Sequence, residues 1–403
     1  MSWLNEFIEM HSELESPREF WRWSGLATLS AVAKDNIWMD RYAYNLYPNI
    51  YVMLHADSGL KKGPPVNTAK KLVKAVNNTK IISGRSSIQG ILKKLGTAQS
   101  APGGKLVAKS VGFIVASEFS SSLVSDPVAM TILTDLYDRN YNEGDYESLL
   151  KMEEFKLVDP TITMLVATNE AHFDDFIAAK DKKGGFMGRT FVIAENEVNR
   201  LNDLIDPPER VIDKEKLIPH LKKISALSGP FKPLTKTPAG ELYKAWYTPF
   251  YNTVKEQQVK DETGTINRLG DSVLKVAMLL SLSEDLSMEI TESQMEEAIR
   301  ICERLVGNVR KTTAGKSGGD TNNTTRQLII LQELMQRNPH AIARTTLNQK
   351  YWMHGLAREF DEVAISMQQA GMIDIAVEGE TVLYKMSDEV FERMQRFFEG
   401  KNK

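Results

Sequence analysis

The chain has 403 residues, 42% of them hydrophobic, so it can bury a real core and is long enough for two or three domains. Its 50 Lys and Arg against 53 Asp and Glu leave a formal net charge of -3, which excludes a global electrostatic hold on nucleic acid or an anionic membrane; any polyanion site has to be local. One cysteine excludes an internal disulfide framework, and no stretch has the signal-peptide order or the roughly 18 apolar residues of a membrane span, so a cytoplasmic chain without membrane contact is expected.

Residues 1–45 carry apolar and aromatic side chains at helical spacing (Trp3, Leu4, Phe7, Ile8, then Phe20, Trp21, Trp23, Leu26, Leu29), with a helix-start signal at Ser16-Pro17-Arg18-Glu19. They predict a helical N-terminal collar. From 46 to 206 the pattern becomes short apolar runs, at 50–54, 80–82, 112–116, 161–167 and 190–194, separated by helical stretches; strands alternating with helices predict an α/β core on a mainly parallel sheet. A Pro- and Lys-rich passage then leads into amphipathic segments at 239–259, 269–282 and 292–309, so 207–310 is read as a helical domain with Cys302 in its core. Residues 311–323 are small, polar and free of aromatics, the composition of a flexible linker. Beyond them, from 324 to 403, three helical segments (325–336, 345–351, 355–369) precede an alternating stretch that turns at Glu378-Gly379-Glu380 like a hairpin. Three helices and a hairpin resemble a winged helix.

The segment most suggestive of chemistry runs from Asn49 through Leu54-His55-Ala56-Asp57-Ser58-Gly59-Leu60-Lys61-Lys62-Gly63-Pro64-Pro65, an apolar strand, a loop with glycine and lysines, then a helix. This is the order of a phosphate-binding loop. Backbone N–H groups must wrap phosphates closely, which calls for small residues, and an ammonium must reach the outer phosphates. Ser58, Gly59, Lys61, Lys62 and Gly63 fill those places, and the prolines suit a first helical turn. Set against Gly-x-x-x-x-Gly-Lys-Ser/Thr, Lys62 takes the lysine position, while Ala56, Lys61 and Gly63 replace the two glycines and the magnesium-binding hydroxyl. The residues that hold a metal are left unassigned.

Three downstream segments follow in order. Val111-Gly-Phe-Ile-Val-Ala-Ser-Glu118 is an apolar strand leading to a carboxylate, the layout of a Walker B segment with Glu118 as the base that activates water. Thr161-Ile-Thr-Met-Leu-Val-Ala-Thr-Asn169 ends in an amide placed to sense a γ-phosphate. Gly184-Gly185-Phe-Met-Gly-Arg189 puts one guanidinium in a glycine-rich turn before a strand, as an arginine finger that stabilises transition-state charge would be. Together with Phe20-Trp-Arg-Trp-Ser-Gly-Leu-Ala, Ser83-Gly-Arg-Ser-Ser, Leu136-Tyr-Asp, Arg268 and Leu274-Lys-Val-Ala, these segments resemble the phage- and mobile-element-encoded family of RecA-like and AAA-like ATPases that comprises replicative helicases and primase-helicases. The resemblance spans roughly residues 15 to 310.

That resemblance implies a P-loop NTPase core carrying ATP and Mg2+, with Glu118, Asn169 and Arg189 catalytic, in a bacterial host cell. It also implies a homo-oligomer, a ring of about six subunits in which Arg189 acts across the interface, and movement along single-stranded DNA. Lysine-bearing loops around 105–109 and 151–156 are candidate DNA contacts. The C-terminal module has ten Lys and Arg against eleven Asp and Glu from Thr324 to Lys403, so docking a replication protein stands beside DNA contact as its role. The main alternative to a motor is a nucleotide-binding loader, initiator or adaptor, favoured by the missing magnesium hydroxyl. The histidines, His55 and His172 included, show no metal-ligand spacing, and the tryptophans fit a core.

Overall fold

The computed structural model describes residues 2–76, 79–83, 86–96, 99–100, 106–107, 109–119, 126–138, 145–150, 153–169, 185–201, 213–256, 261, 263–313, 320–337, 340–351, 357–379, 381–388 and 390–391. The chain divides into two compact units, residues 1–253 with 260–309, and residues 254–259 with 310–403.

In the first unit, α1 (Trp3–Met10) starts at Ser2, whose side chain accepts a hydrogen bond from Asn5 N, and α2 (Arg18–Ala33) is buried along most of its length. β1 (Ile37–Asp40) and β2 (Asn45–Leu46) form a hairpin, and β3 (Tyr51–His55) leads to α3 (Gly63–Val76). Then come β4 (Lys80–Ser83), α4 (Ile88–Gly96), the short β5 (Gln99–Ser100) and β6 (Leu106–Val107), β7 (Lys109–Ala116) and α5 (Pro127–Asp138). β8 (Asp145–Leu150), β9 (Glu153–Thr168) and β10 (Thr190–Ala194) follow, then α6 (Ile218–Ala226), β11 (Gly229–Pro230), α7 (Pro238–Glu256), α8 (Leu269–Glu284) and α9 (Glu292–Thr313).

The central sheet has the order β10-β3-β9-β7-β4, all five strands parallel, with β8 antiparallel against the first part of β9. The apolar runs of β3 and β10 are buried on both faces, and for that reason they read as continuous hydrophobic stretches and not as alternating ones. One face packs Tyr51, Met53, Ile114, Met164 and Val192 against Ile88, Ile91 and Leu92 of α4 and Ile132, Leu133 and Leu136 of α5. The other lies under α2 and α3, with Trp23 on Phe191 at 5.0 Å between ring centroids and Ser30 Oγ 2.6 Å from Thr163 Oγ1. This is a three-layer α/β unit, compatible with a Rossmann- or P-loop-like core.

Some expectations are corrected. Within the expected helical collar of residues 1–45, Ile37–Asp40 form β1 and Asn45 begins β2, because Ile37-Trp-Met-Asp alternates in burial and pairs in parallel with β11. α2 is a covering helix of the sheet, since its apolar residues extend round the whole cylinder. β9 reaches well before residue 161 because its early residues pair with β8, which carries no apolar run of its own. Residues 311–323 carry helix at both ends, through Thr313 and from Asp320; 314–319 lie outside the described residues. Cys302 is fully buried in α9, and burial pushes its thiol up, so it is an inert core residue. Among the described residues no helix is long and apolar enough to cross a membrane.

The second unit runs α10 (Asp320–Arg337), β12 (Ile342–Ala343), α11 (Arg344–Lys350), α12 (Ala357–Gln369), β13 (Ile373–Glu378) and β14 (Thr381–Met386). Its antiparallel sheet has the order β12-β14-β13, with the hairpin closing at Glu378 opposite Thr381. Ile330, Leu334, Leu347, Phe360, Met367, Ile373 and Tyr384 form the core.

Candidate functional site

β3 is followed by α3 and β4 on one side of the sheet, whereas β9 is followed by β10, which lies beyond β3 on the other. Neighbouring strands whose onward connections leave in opposite directions open a crevice between their carboxyl ends, the place where open α/β sheets bind ligands. A cleft of about 440 Å3 sits there, lined by Ser58, Gly59, Lys61, Lys62 and Gly63 from the loop after β3, Ser117 and Glu118 after β7, and Ala167, Thr168 and Asn169 at the end of β9. The parallel register puts these ends together: His55 pairs with Thr168, and Ala116 with Val166.

The loop from Ala56 to Lys62 is shaped by its own sequence and fastened from outside it. Ala56 N donates to Thr168 O at 3.4 Å, tying the loop's start to β9, and Lys61 N donates to Gly59 O at 2.8 Å, closing a tight turn. Gly59 has φ +96°, and a side chain there would stand in open space with nothing within 4 Å, so conformation and not crowding requires the glycine. Lys61 also lies at positive φ, +46°, and its carbonyl accepts from the hydroxyl of the buried Ser16 at 2.7 Å. Its ammonium is 3.4 Å from Glu15 Oε2. The local pattern assigns Ser16 to a helix start, but its hydroxyl reaches a loop 45 residues away, a contact that leaves no trace in neighbouring residues.

Lys62 Nζ donates to the carbonyls of Ala56 at 2.5 Å and Asp57 at 2.7 Å. Burial lowers the affinity of this ammonium for its proton, while the Asp57 and Glu118 carboxylates act in the opposite direction. α3 begins at Gly63, and Pro64 and Pro65 remove two of the N–H groups that a helix start normally offers an anion. Donors for an anion here therefore come from the loop backbone and from Lys61 and Lys62, more than from the helix terminus. Phe119 N donates to Ala167 O at 2.7 Å, fixing the bend that carries Glu118 beside β9, and Thr168 Oγ1 donates to Asn169 O at 3.2 Å.

Seven of the eight site residues expected from sequence thus line one cleft. Arg189 does not. It directly precedes Thr190, which pairs with Tyr51 at the amino end of β3, so it lies at the opposite edge of the sheet. Its Nε donates to Asp138 Oδ1 at 2.8 Å, its Nη2 also meets the Asp138 carboxylate, and Nη1 donates to Gly185 O at 2.9 Å. Burial alone would lower its pKa, but Asp138, together with Tyr137 and Asp135, raises it above the usual value.

Among the cleft's oxygen donors, the Ser58 and Ser117 hydroxyls and the Glu118 carboxylate are of the hard kind that magnesium takes. Among the described residues no group of three or more His, Cys, Asp and Glu is placed to hold a metal by itself. Lys105, residues 151–152 and His172 fall outside the described residues, whereas Lys109 begins β7 and Lys156 lies in β9. Compared with known proteins, the chain matches no family model and no curated sequence.

Proposed function

We propose that the chain is an ATP-hydrolysing, helicase-like motor acting on single-stranded DNA, built on a RecA- or AAA-like P-loop core with a C-terminal winged helix. The observation that carries this reading is the convergence of Lys62, Glu118 and Asn169 on one cleft at the carboxyl ends of β3, β7 and β9. The first α/β unit supports it at the level of architecture, and the second has the helix and hairpin order of a winged helix.

The residues fit ATP with Mg2+. The glycine at positive φ leaves open space beside the loop, and the volume is in the range of small-molecule sites. Lys62, with Lys61 and the backbone N–H groups of Ser58, Gly59 and Gly63, would hold the phosphates. Ser58, Ser117 and Glu118 offer the oxygens for magnesium, which supplies charge neutralisation on the phosphates when bound. Glu118 accepts a proton at its carboxylate from the attacking water. The Asn169 amide orients what lies above β9 by hydrogen bonding. Arg189 cannot serve its own cleft from the amino edge; it would act in a homo-oligomer, a hexameric ring in this reading.

Two observations favour the second reading, a loader, initiator or adaptor that binds nucleotide without unwinding. Gly63 stands where a magnesium-binding hydroxyl is expected, and Pro64 and Pro65 thin out the anion donors of α3. The test is steady-state ATP hydrolysis with and without single-stranded DNA, beside Lys62→Ala and Glu118→Gln. DNA-stimulated turnover lost in both variants supports the motor; ATP binding without turnover selects the second reading.

A further inference from the structure

The connection between α1 and α2, residues 11–17, lies against the loop after β3 and carries an acid, Glu15, to which the chemistry of the cleft gives no role. α1 is fixed at its start. Trp3 Nε1 donates to Leu217 O at 3.0 Å and Leu4 N to Ser283 Oγ of α8 at 2.8 Å, both in buried surroundings. At the other end the buried His11 caps the helix and stacks on Trp21, with ring centroids 4.0 Å apart. From there the chain turns back, Leu14 N donating to His11 O at 3.1 Å, and its remaining holds are polar and closer to water. Asn199, past the end of β10, donates from Nδ2 to Ser12 O at 2.8 Å and from its backbone N to Glu15 O at 2.9 Å. Ser16 Oγ donates to Lys61 O at 2.7 Å, and Glu15 Oε2 lies 3.4 Å from Lys61 Nζ. One end of this segment is set in the core, and the other grips the loop.

The two lysines of the loop are therefore held in different ways. Lys62 Nζ meets the neutral carbonyls of Ala56 and Asp57, whereas Lys61 Nζ meets a full negative charge. A phosphate that engages Lys62 replaces two dipole contacts made by the loop's own backbone. One that engages Lys61 has to displace a carboxylate carried by a separate element. The Glu15 side chain is 28% exposed and that of Lys61 52%, so water screens the pair, which is weak enough for a polyphosphate to break and strong enough to lower its affinity. Ser16 binds the carbonyl of Lys61 and not its ammonium, so that contact persists when the ion pair is exchanged.

We propose that Glu15 competes with the phosphates of the ligand for Lys61, which makes the α1–α2 connection a strap released at its cleft end as the ligand binds. This competition rests on the phosphate-binding cleft proposed above and adds a regulation to it. A group engaged elsewhere for part of the time lowers the apparent affinity by the fraction of time it is available. The coupling is reciprocal: a ligand that takes Lys61 loosens the strap by the same factor by which Glu15 weakens the ligand. Because Asn199 holds the same turn, the release reaches the segment that leaves β10.

The test uses the full-length protein and inorganic triphosphate with Mg2+, which carries the phosphates of ATP without a nucleoside to cover the strap. Calorimetric titration compares the wild type with Glu15→Gln, a change that keeps the size of a partly exposed side chain; an unchanged melting curve checks that the variant folds. The expected result is about threefold tighter binding by Glu15→Gln. In the wild type, saturating triphosphate should speed amide hydrogen exchange in residues 12–16 about threefold, and in Glu15→Gln it should leave exchange unchanged. A wild type that binds triphosphate as tightly as Glu15→Gln, or more tightly, overturns the competition and leaves the phosphate site standing. Tighter binding by the variant with no change of exchange in the wild type reduces Glu15 to a repulsive charge beside the cleft and overturns the strap. A wild type that binds no triphosphate overturns the competition, and one that binds no ATP either removes the nucleotide reading with it.

Discussion

In the cleft, Lys62 is held by two neutral backbone carbonyls, whereas in the C-terminal unit every described cation from Arg326 to Lys385 faces a carboxylate. Arg326 pairs with Glu359, Arg344 with Asp361, Arg358 with Glu362 and Lys385 with Asp388, while Arg337 and Lys350 share the buried Glu333. An ammonium held by dipoles keeps its charge available to an incoming phosphate. A paired cation has its field cancelled at short range and must give up a partner before it can bind one. Exposed Asp374 and Glu378 on β13 add negative charge to the hairpin. The two regions teach that lysine and arginine content says little about anion binding until the partners are known. For the proposed function this favours the cleft over the described cations of the C-terminal unit as the place where a phosphate would bind.

Glu118 is where that contrast breaks most visibly. Replacing it by Gln keeps the shape of the cleft but removes the proton acceptor, so ATP turnover should fall by about 100- to 10,000-fold while nucleotide binding persists, read by single-turnover hydrolysis beside equilibrium binding. Loss of binding together with turnover would show that Glu118 holds the ligand and does not activate water. Next in size is the ionic centre of the C-terminal unit. Glu333 accepts from Tyr351 Oη at 2.6 Å and meets Lys350 and Arg337; burial alone would raise its pKa, but these donors hold it below the usual carboxylate range. A folded-state pKa below the unfolded one contributes stability at neutral pH that disappears as pH falls through the folded value. Glu333→Ala should cost about 3 kcal/mol in urea unfolding at pH 7 and much less near pH 3.

The proton on Lys62 gives a sharper reading of the cleft. Because burial lowers this pKa, affinity for ATP should fall with rising pH from a point below the 10.5 of a free lysine, by about tenfold per pH unit beyond it. Lys62→Arg, which stays charged, should flatten that limb in a binding titration; an unchanged limb would assign it to another group. At Ser16 the effect should be smaller: Ala there removes one hydrogen bond of about 1 kcal/mol from the loop, raising KM for ATP about fivefold with kcat nearly unchanged. Smallest of all, Arg358→Ala with Lys385→Ala should leave single-stranded DNA affinity within about twofold in fluorescence anisotropy, since both cations already have partners. A tenfold loss would move the DNA contact to the C-terminal unit and undo the comparison.

The apolar runs of β3, β7, β9 and β10 were legible because strands buried on both faces must be apolar at every position, and the glycine after β3 was legible because a tight turn restricts residue type. β1, β2 and β8 were not, since short or polar strands carry too few apolar positions to show a period. Ser16 escaped as a support of the loop after β3 for a different reason. A serine before a proline signals a helix start by itself, and nothing in its neighbours records the carbonyl it reaches.

By itself the sequence determined the alternation of strand and helix, the glycine-bearing loop at the end of β3, and the carboxylate and amide that follow β7 and β9, because each depends on residues close together in the chain. Tertiary structure alone decided that Lys62, Glu118 and Asn169 share one cleft, that Arg189 lies at the far edge bound to Asp138, and that the described C-terminal cations are paired. Parallel strands in register bring distant carboxyl ends flush, and an ion pair forms wherever packing brings opposite charges within reach; neither distance is written in the spacing of residues along the chain.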